Sequence, residues 1–426
     1  MNKRFFYAIF LALGLFAPAT YADNNTLQTG PWYVFMITPG GRLPFTMEIG
    51  GSPGHFTAAV LNGDERVEIP IVTVENEHVT FEFDYYDSRI QAQIYDDGRS
   101  FTGTWSKTRG PDDVPSLQLW GYAGQRPRFR PIDDLNASIA QKTIDNIWRV
   151  HFKESDGQSI AKFFVDDEGI VTGTFQTPTG DYGDLEGVFF GGTLELSRFD
   201  GAHAFLFRAR IGSRKVQSED GPHQAKTLSG SFWSGNWWRE EWEAVEDAYA
   251  IPPDGTTQIE VSNMIPLDEI HFPDLDGNDR FLSDDAFKGR CRIIEIFGSW
   301  CPNCHDASVL LKELHEEYAD DGLSILALAF EATGDFERDS KQLKTYINRF
   351  DLPYPVLLAG QAKKSEASKK LPFLNELKAY PTILVTNELG GVILSYSGFN
   401  GPATGDDYIK LRTLLMTTVR QVLGIH

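Results

Sequence analysis

Cys291-Arg292-Ile293-Ile294-Glu295-Ile296-Phe297-Gly298-Ser299-Trp300-Cys301-Pro302-Asn303-Cys304 decides the fold of the second part of this 426-residue chain. Its first seven residues form an almost continuous apolar run, as a strand buried on both faces requires. The Cys-x-x-Cys that follows opens a helix expected over about 302–319. The first thiol then lies at a helix N-terminus, where unpaired backbone N–H groups and the helix dipole favour a thiolate. The second thiol is one helical turn on, on the same side and close enough to close a disulfide. On this placement Cys301 attacks a substrate disulfide and Cys304 resolves the mixed disulfide.

Outward from this stretch, strands alternate with helical patterns. LSILALAF (323–330), PVLLA (355–359), TILVT (382–386) and GVILSYS (391–397) read as strands. Helices are expected near 336–350, 365–378 and 404–423, the last with Thr404 as N-cap and Asp407 three residues on. Leu389-Gly390-Gly391 reads as a hairpin turn. The texture is that of an α/β domain with a mixed sheet.

FGSWCPNC (297–304), with the approach FPDLDGNDRFLSDDAFKGRCRIIEIF (272–297), resembles the active site of TlpA/ResA-like thiol–disulfide oxidoreductases of the thioredoxin superfamily. The resemblance covers about 264–426. It implies a thioredoxin fold that exchanges with protein thiols and disulfides without a cofactor, works as a reductase, and is recharged by a membrane-embedded electron donor. It also implies a cis-proline loop at Tyr380-Pro381-Thr382, with Pro381 facing the disulfide and Trp300, Tyr380 and Thr382 contacting substrate. Glu295, six residues before Cys301, corresponds to an acid behind the disulfide that accepts the proton of Cys304. Physically, a carboxylate in so apolar a run holds its proton or finds a cation. Some relatives carry a second Glu three residues after the second Cys; here that position is Ala307.

Cys291 stands at the far end of a strand spanning roughly 20 Å at ~3.3 Å per residue. Disulfide Cα atoms approach within ~7 Å, so Cys291 reads as a structural thiol. Cys301-Pro302-Asn303-Cys304-His305 also matches a c-type haem attachment signature. A haem motif wants a helical pocket and an axial ligand, whereas this one follows a buried strand, so His305 is expected on the helix surface. Zinc lacks two further ligands at suitable spacing, and no metal site is expected. The non-enzymatic alternative is an exported partner-binding or chaperone-like protein with this domain as scaffold.

Before about residue 250 the sequence reads as antiparallel β structure. VTFEFDYY (79–86), RIQAQIYD (89–96), TLELSRF (193–199) and AFLFRARI (204–211) alternate between Gly, Asp and Asn turns, with one helical stretch near 132–144. Trp32-Tyr33-Val34 resembles Trp148-Arg149-Val150, and FTGTW (101–105) resembles LSGSFW (228–233). This suggests a duplicated, barrel-like unit closing as one barrel or two. The expected division is 1–22 targeting segment, 23–130 and 131–250 β units, 251–263 linker and 264–426 thioredoxin-like domain. Trp233, Trp237, Trp238 and Trp242 cluster at the end of the β region, as core filling or as a gripping surface.

Lys3 and Arg4, the apolar run 5–17 and Thr20-Tyr21-Ala22 have the form of a secretory signal cleaved after Ala22. The run is shorter than the ~20 residues of a spanning helix. A soluble, exported, periplasmic protein without stable membrane insertion is expected. A formal net charge of -21 argues against nucleic acid and anionic membrane surfaces.

Overall fold

The computed structural model describes residues 26–218 and 221–426, so the expected targeting segment lies outside the described residues. Among them, no helix is long and apolar enough to cross a membrane.

Two nine-stranded antiparallel sheets precede the α/β domain. In the first, chain neighbours pair in space with one break, between the fourth and fifth strands, and the last strand, Ser116–Ala123, returns to pair with the first, Gly30–Thr38. The two edge strands, Glu65–Ile69 and Ile71–Glu75, are joined through Pro70 alone, which brings the sheet's edges together as a barrel. The second sheet closes outright, because Ser159–Val165 pairs with both Asn146–Phe152 and Ile170–Thr177. A two-residue strand, Gly180–Asp181, hangs from its rim.

The duplication is visible in matching devices. Trp32 and Trp148 are fully buried, and each donates its indole N–H to the carbonyl four residues earlier, Gln28 at 2.8 Å and Ile144 at 3.1 Å. Gly103 faces Ala92 across the ladder, and Gly230 faces Ala209. A Cβ at either glycine would fall within about 2 Å of a facing backbone oxygen, so close strand approach requires Gly there. The register differs by one from the sequence comparison, since Phe232, not Trp233, takes the buried place of Trp105.

The segment around 125–145, of linker composition, is a staple. Arg128 is buried, bonds the Leu61 and Ser197 carbonyls and pairs with Glu186 at 3.0 Å, binding the two barrels together. Helix Asp134–Ile144 follows, capped by Asp133, which accepts the Asn136 N–H.

The third sheet has the order Val356–Gln361, Leu323–Glu331, Cys291–Phe297, Thr382–Asn387, Val392–Ser397, parallel in its first two pairings and antiparallel in the others. Helices Pro302–Tyr318, Phe336–Phe350, Lys364–Lys370 and Asp406–Leu423 accompany it. This is the expected thioredoxin fold. The helix expected over 365–378 stops at Lys370. Thr404 is not an N-cap. Its hydroxyl bonds the Gly401 carbonyl inside a short 3-10 turn, and Gly405, at φ 62°, begins the last helix. Asp407 instead pairs with Lys162 of the second barrel at 2.5 Å. The expected linker 251–263 lies against the α/β domain, with Ile259 buried and Ser262 bonded to the Phe373 carbonyl.

One hydrophobic core runs from the first barrel through Phe199 and Leu206 into the α/β domain, while the second barrel keeps its own. The tryptophan cluster divides accordingly. Trp242 is 1% exposed among Phe152, Phe175 and Phe207, whereas Trp238 is 48% exposed. Trp242→Ala should cost about 3–5 kcal/mol of stability and Trp238→Ala less than about 1 kcal/mol, read from urea denaturation of the full chain. Equal losses would contradict this division.

Candidate active site

Every residue of the strand Cys291–Phe297 is buried, and its end delivers the chain into a tight loop. Cys301 is the N-cap of helix Pro302–Tyr318, in extended conformation, and its carbonyl accepts the N–H groups of Cys304 and His305 at 3.1 Å. Pro302 occupies the first helical position, where a missing N–H costs nothing. The loop is tied at both ends of Ser299–Trp300. The Ser299 N–H and hydroxyl both donate to the Glu331 carboxylate at 2.8 Å, and the Trp300 indole donates to the Phe330 carbonyl at 2.9 Å. Burial raises the Glu331 pKa to about 7 despite these two donors.

Both thiols are free and buried, Cys301 at 7% exposure. Burial alone would raise the Cys301 pKa. The Cys304 thiol, the backbone N–H groups of Cys304 and Asn303 and the charge of Lys107 outweigh it and bring the pKa below the ordinary value. Cys304, more deeply buried and beside Cys301, is pushed well above its ordinary value. The two thiols thus differ in acidity, Cys301 favoured as the anion and Cys304 as the neutral thiol.

Pro381 follows Tyr380 through a cis peptide bond. The Cys301 thiol points at the Tyr380 carbonyl, 3.6 Å away, and the Tyr380 ring meets Trp300 edge-on. Thr382 is placed differently from a substrate contact: it is fully buried, with its hydroxyl on the Ala379 carbonyl and beside Ser397. Glu295 is buried behind the thiols. One oxygen accepts the Ser308 hydroxyl at 3.4 Å, the other has no partner, and no lysine or arginine pairs with it among the described residues. Burial, with a smaller contribution from Cys301, raises its pKa to about 8. Cys291, at the opposite end of the strand, is a buried thiol whose pKa burial raises to about 12.

His305 is half-buried rather than free on the helix surface. Its ring packs on Phe350 at 4.1 Å and near Tyr85, and burial lowers its pKa to about 4.

Sequence reading did not find the barrels' contribution. Lys107, the last residue of strand Ser100–Lys107, is buried and donates to the Ala202 and Trp300 carbonyls at 3.1 and 3.0 Å. The Asp181 carbonyl accepts the Asn303 amide, and its carboxylate accepts the Gly401 N–H at 2.5 Å. Gln342 donates to the Asp84 and Tyr85 carbonyls, and Arg349 pairs with Asp84 at 2.6 Å. A cleft of about 650 Å³ lies beside Trp300 between barrel and domain, lined by Lys107, Phe205, Phe232, Trp237 and Trp238.

A Glu held protonated up to about pH 8 when folded, against 4.5 unfolded, stabilises the fold fully below about pH 4.5 and loses that contribution as pH rises towards 8. Glu295→Gln keeps a neutral group throughout. The stability of the variant relative to the parent should therefore grow from pH 5 to pH 8, by up to ~1.4 kcal/mol per pH unit. Urea denaturation at both pH values checks this, and a pH-independent difference contradicts it.

Residues 253–408 match the Redoxin family. Over 137 residues the chain is 25% identical to the thiol-disulfide oxidoreductase ResA of Bacillus thuringiensis subsp. konkukian, covering 32% of this chain and 70% of that protein. It is 25% identical over 103 residues to the thioredoxin-like protein YneN of Bacillus subtilis, covering 24% of this chain and 54% of that one. A solved thiol:disulfide interchange protein from Bacteroides sp. aligns at 18% identity with a TM-score of 0.28, over 38% of this chain and 91% of that one. The C-terminal region of this chain is a TlpA/ResA-like domain of the thioredoxin superfamily.

Proposed function

We propose that the chain is an exported protein thiol–disulfide oxidoreductase that reduces protein disulfides through Cys301 and Cys304. The observation that carries this reading is the split dithiol, one thiol favoured as an anion at a helix N-terminus and its neighbour held protonated above Glu295.

The Cys301 thiolate attacks one sulfur of a substrate disulfide, forming a mixed disulfide and releasing one substrate thiolate. Glu295, in its carboxylate form, takes the Cys304 proton. Cys304 then attacks the Cys301 sulfur, the second substrate thiolate leaves, and a Cys301–Cys304 disulfide remains. Two electrons from a membrane-embedded donor restore the dithiol. The Tyr380 and Pro381 backbone is the edge along which an extended Cys-bearing segment pairs, and Trp300 flanks it. The reducing direction rests on the resemblance of residues 297–304 to the TlpA/ResA-like active site. Export to the periplasm rests on the segment 3–22.

Cys301→Ser should lower reduction of a protein disulfide by at least about 100-fold. Cys304→Ser should accumulate the mixed disulfide on Cys301, visible by mass spectrometry of the intact adduct. Trapping through Cys291, or full activity of Cys301→Ser, contradicts the assignment. The purified protein should show no Soret band; one would install the haem reading.

A further inference from the structure

We infer that Lys107, carried by the first barrel, is the cation that holds Cys301 as a thiolate, a positioning residue supplied to the thiol site from outside the thiol domain. This rests on the reading of Cys301 as the attacking sulfur.

The Lys107 ammonium is buried, and its hydrogen bond to the Trp300 carbonyl fixes it one peptide unit from Cys301, 193 residues away in sequence. Its second bond goes to the Ala202 carbonyl of the other barrel, so both barrels frame it. Two carbonyls satisfy two of the ammonium's three donors but do not neutralise its charge. An uncompensated buried ammonium is costly. The anions around it are otherwise engaged. Asp200 pairs with Arg198 at 3.2 Å and His203 at 3.4 Å, and Asp87 pairs with Arg338. The remaining anion facing Lys107 is the Cys301 thiolate. Burial lowers the lysine's pKa to about 8, with Asp200, Cys301 and Asp87 opposing this and Arg109 adding to it. Asp306, Lys364, Glu295, Cys304 and Tyr380 are further charged and titratable groups around Cys301. The Redoxin match begins at residue 253, so Lys107 lies outside it.

The test is the titration of Cys301 in the full chain, by thiolate absorbance and by alkylation rate from about pH 4 to pH 10, with Cys301→Ser as baseline. Lys107→Gln keeps an N–H₂ donor, on a side chain one bond shorter, and removes the charge. It should raise the Cys301 midpoint by about one unit, reducing thiolate about tenfold below the midpoint. Lys107→Arg, which keeps the charge, should restore most of the shift. If Lys107→Gln does not fold, Lys107→Met, which fills the same volume without a charge, gives the same reading. A midpoint that disappears in Cys301→Ser but does not move in Lys107→Gln overturns the role of Lys107 alone. A parent protein without any Cys301-dependent midpoint overturns the nucleophile reading beneath it.

Discussion

Burying a thiol raises its pKa, because the anion loses its water, and both thiols of the Cys301–Cys304 pair are enclosed. An exchange enzyme needs one of them as a thiolate, so the enclosure must supply what water would. The helix that begins at Cys301 offers backbone N–H groups, Cys304 offers its thiol, and Lys107 offers a full charge. Cys304 receives only a backbone hydrogen bond at Gly298, which burial and the neighbouring Cys301 outweigh, and its proton is held more tightly. The difference between two sulfurs three residues apart is the constraint on which the site depends.

That difference requires rigid surroundings, and much of the structure serves to hold them. Glu331 and the Phe330 carbonyl fix Ser299 and Trp300 from the neighbouring strand. The second barrel's short rim strand brings Asp181 to both Asn303 and Gly401. The first barrel shares its hydrophobic core with the thioredoxin-like domain, so Lys107 is held by packing as well as by two carbonyls. A barrel that merely tethered a binding face would not need a buried lysine at the seam. Access to the sulfurs is narrowed by the same arrangement, and the aromatic cleft beside Trp300 is one open space at that seam.

The thiol domain was legible because its signals are local. An apolar strand, a Cys-x-x-Cys and a helix are contiguous, and the isolated carboxylate at 295 stands out against its neighbours. The alternation of the β region and the paired Trp32 and Trp148 were readable for the same reason. Lys107 and Asp181 were not, since nothing in SFTGTWSK or TPTGDY marks a residue bound for a site more than a hundred positions on. His305 looked like surface because its partners, Tyr85 and Phe350, come from distant elements. Thr404 looked like a cap by composition, but the preceding 3-10 turn claimed its hydroxyl. The segment near 125–145 had the Pro and Arg content of a linker, and only its buried Arg128 shows it to be a brace.

Redox titration of the full chain in buffers of set thiol–disulfide potential, with the disulfide mapped by mass spectrometry, tests the central claim most directly. A two-electron transition near -270 mV that links Cys301 to Cys304 and leaves Cys291 free is the expected result. A transition near -120 mV, or a disulfide that includes Cys291, would contradict it.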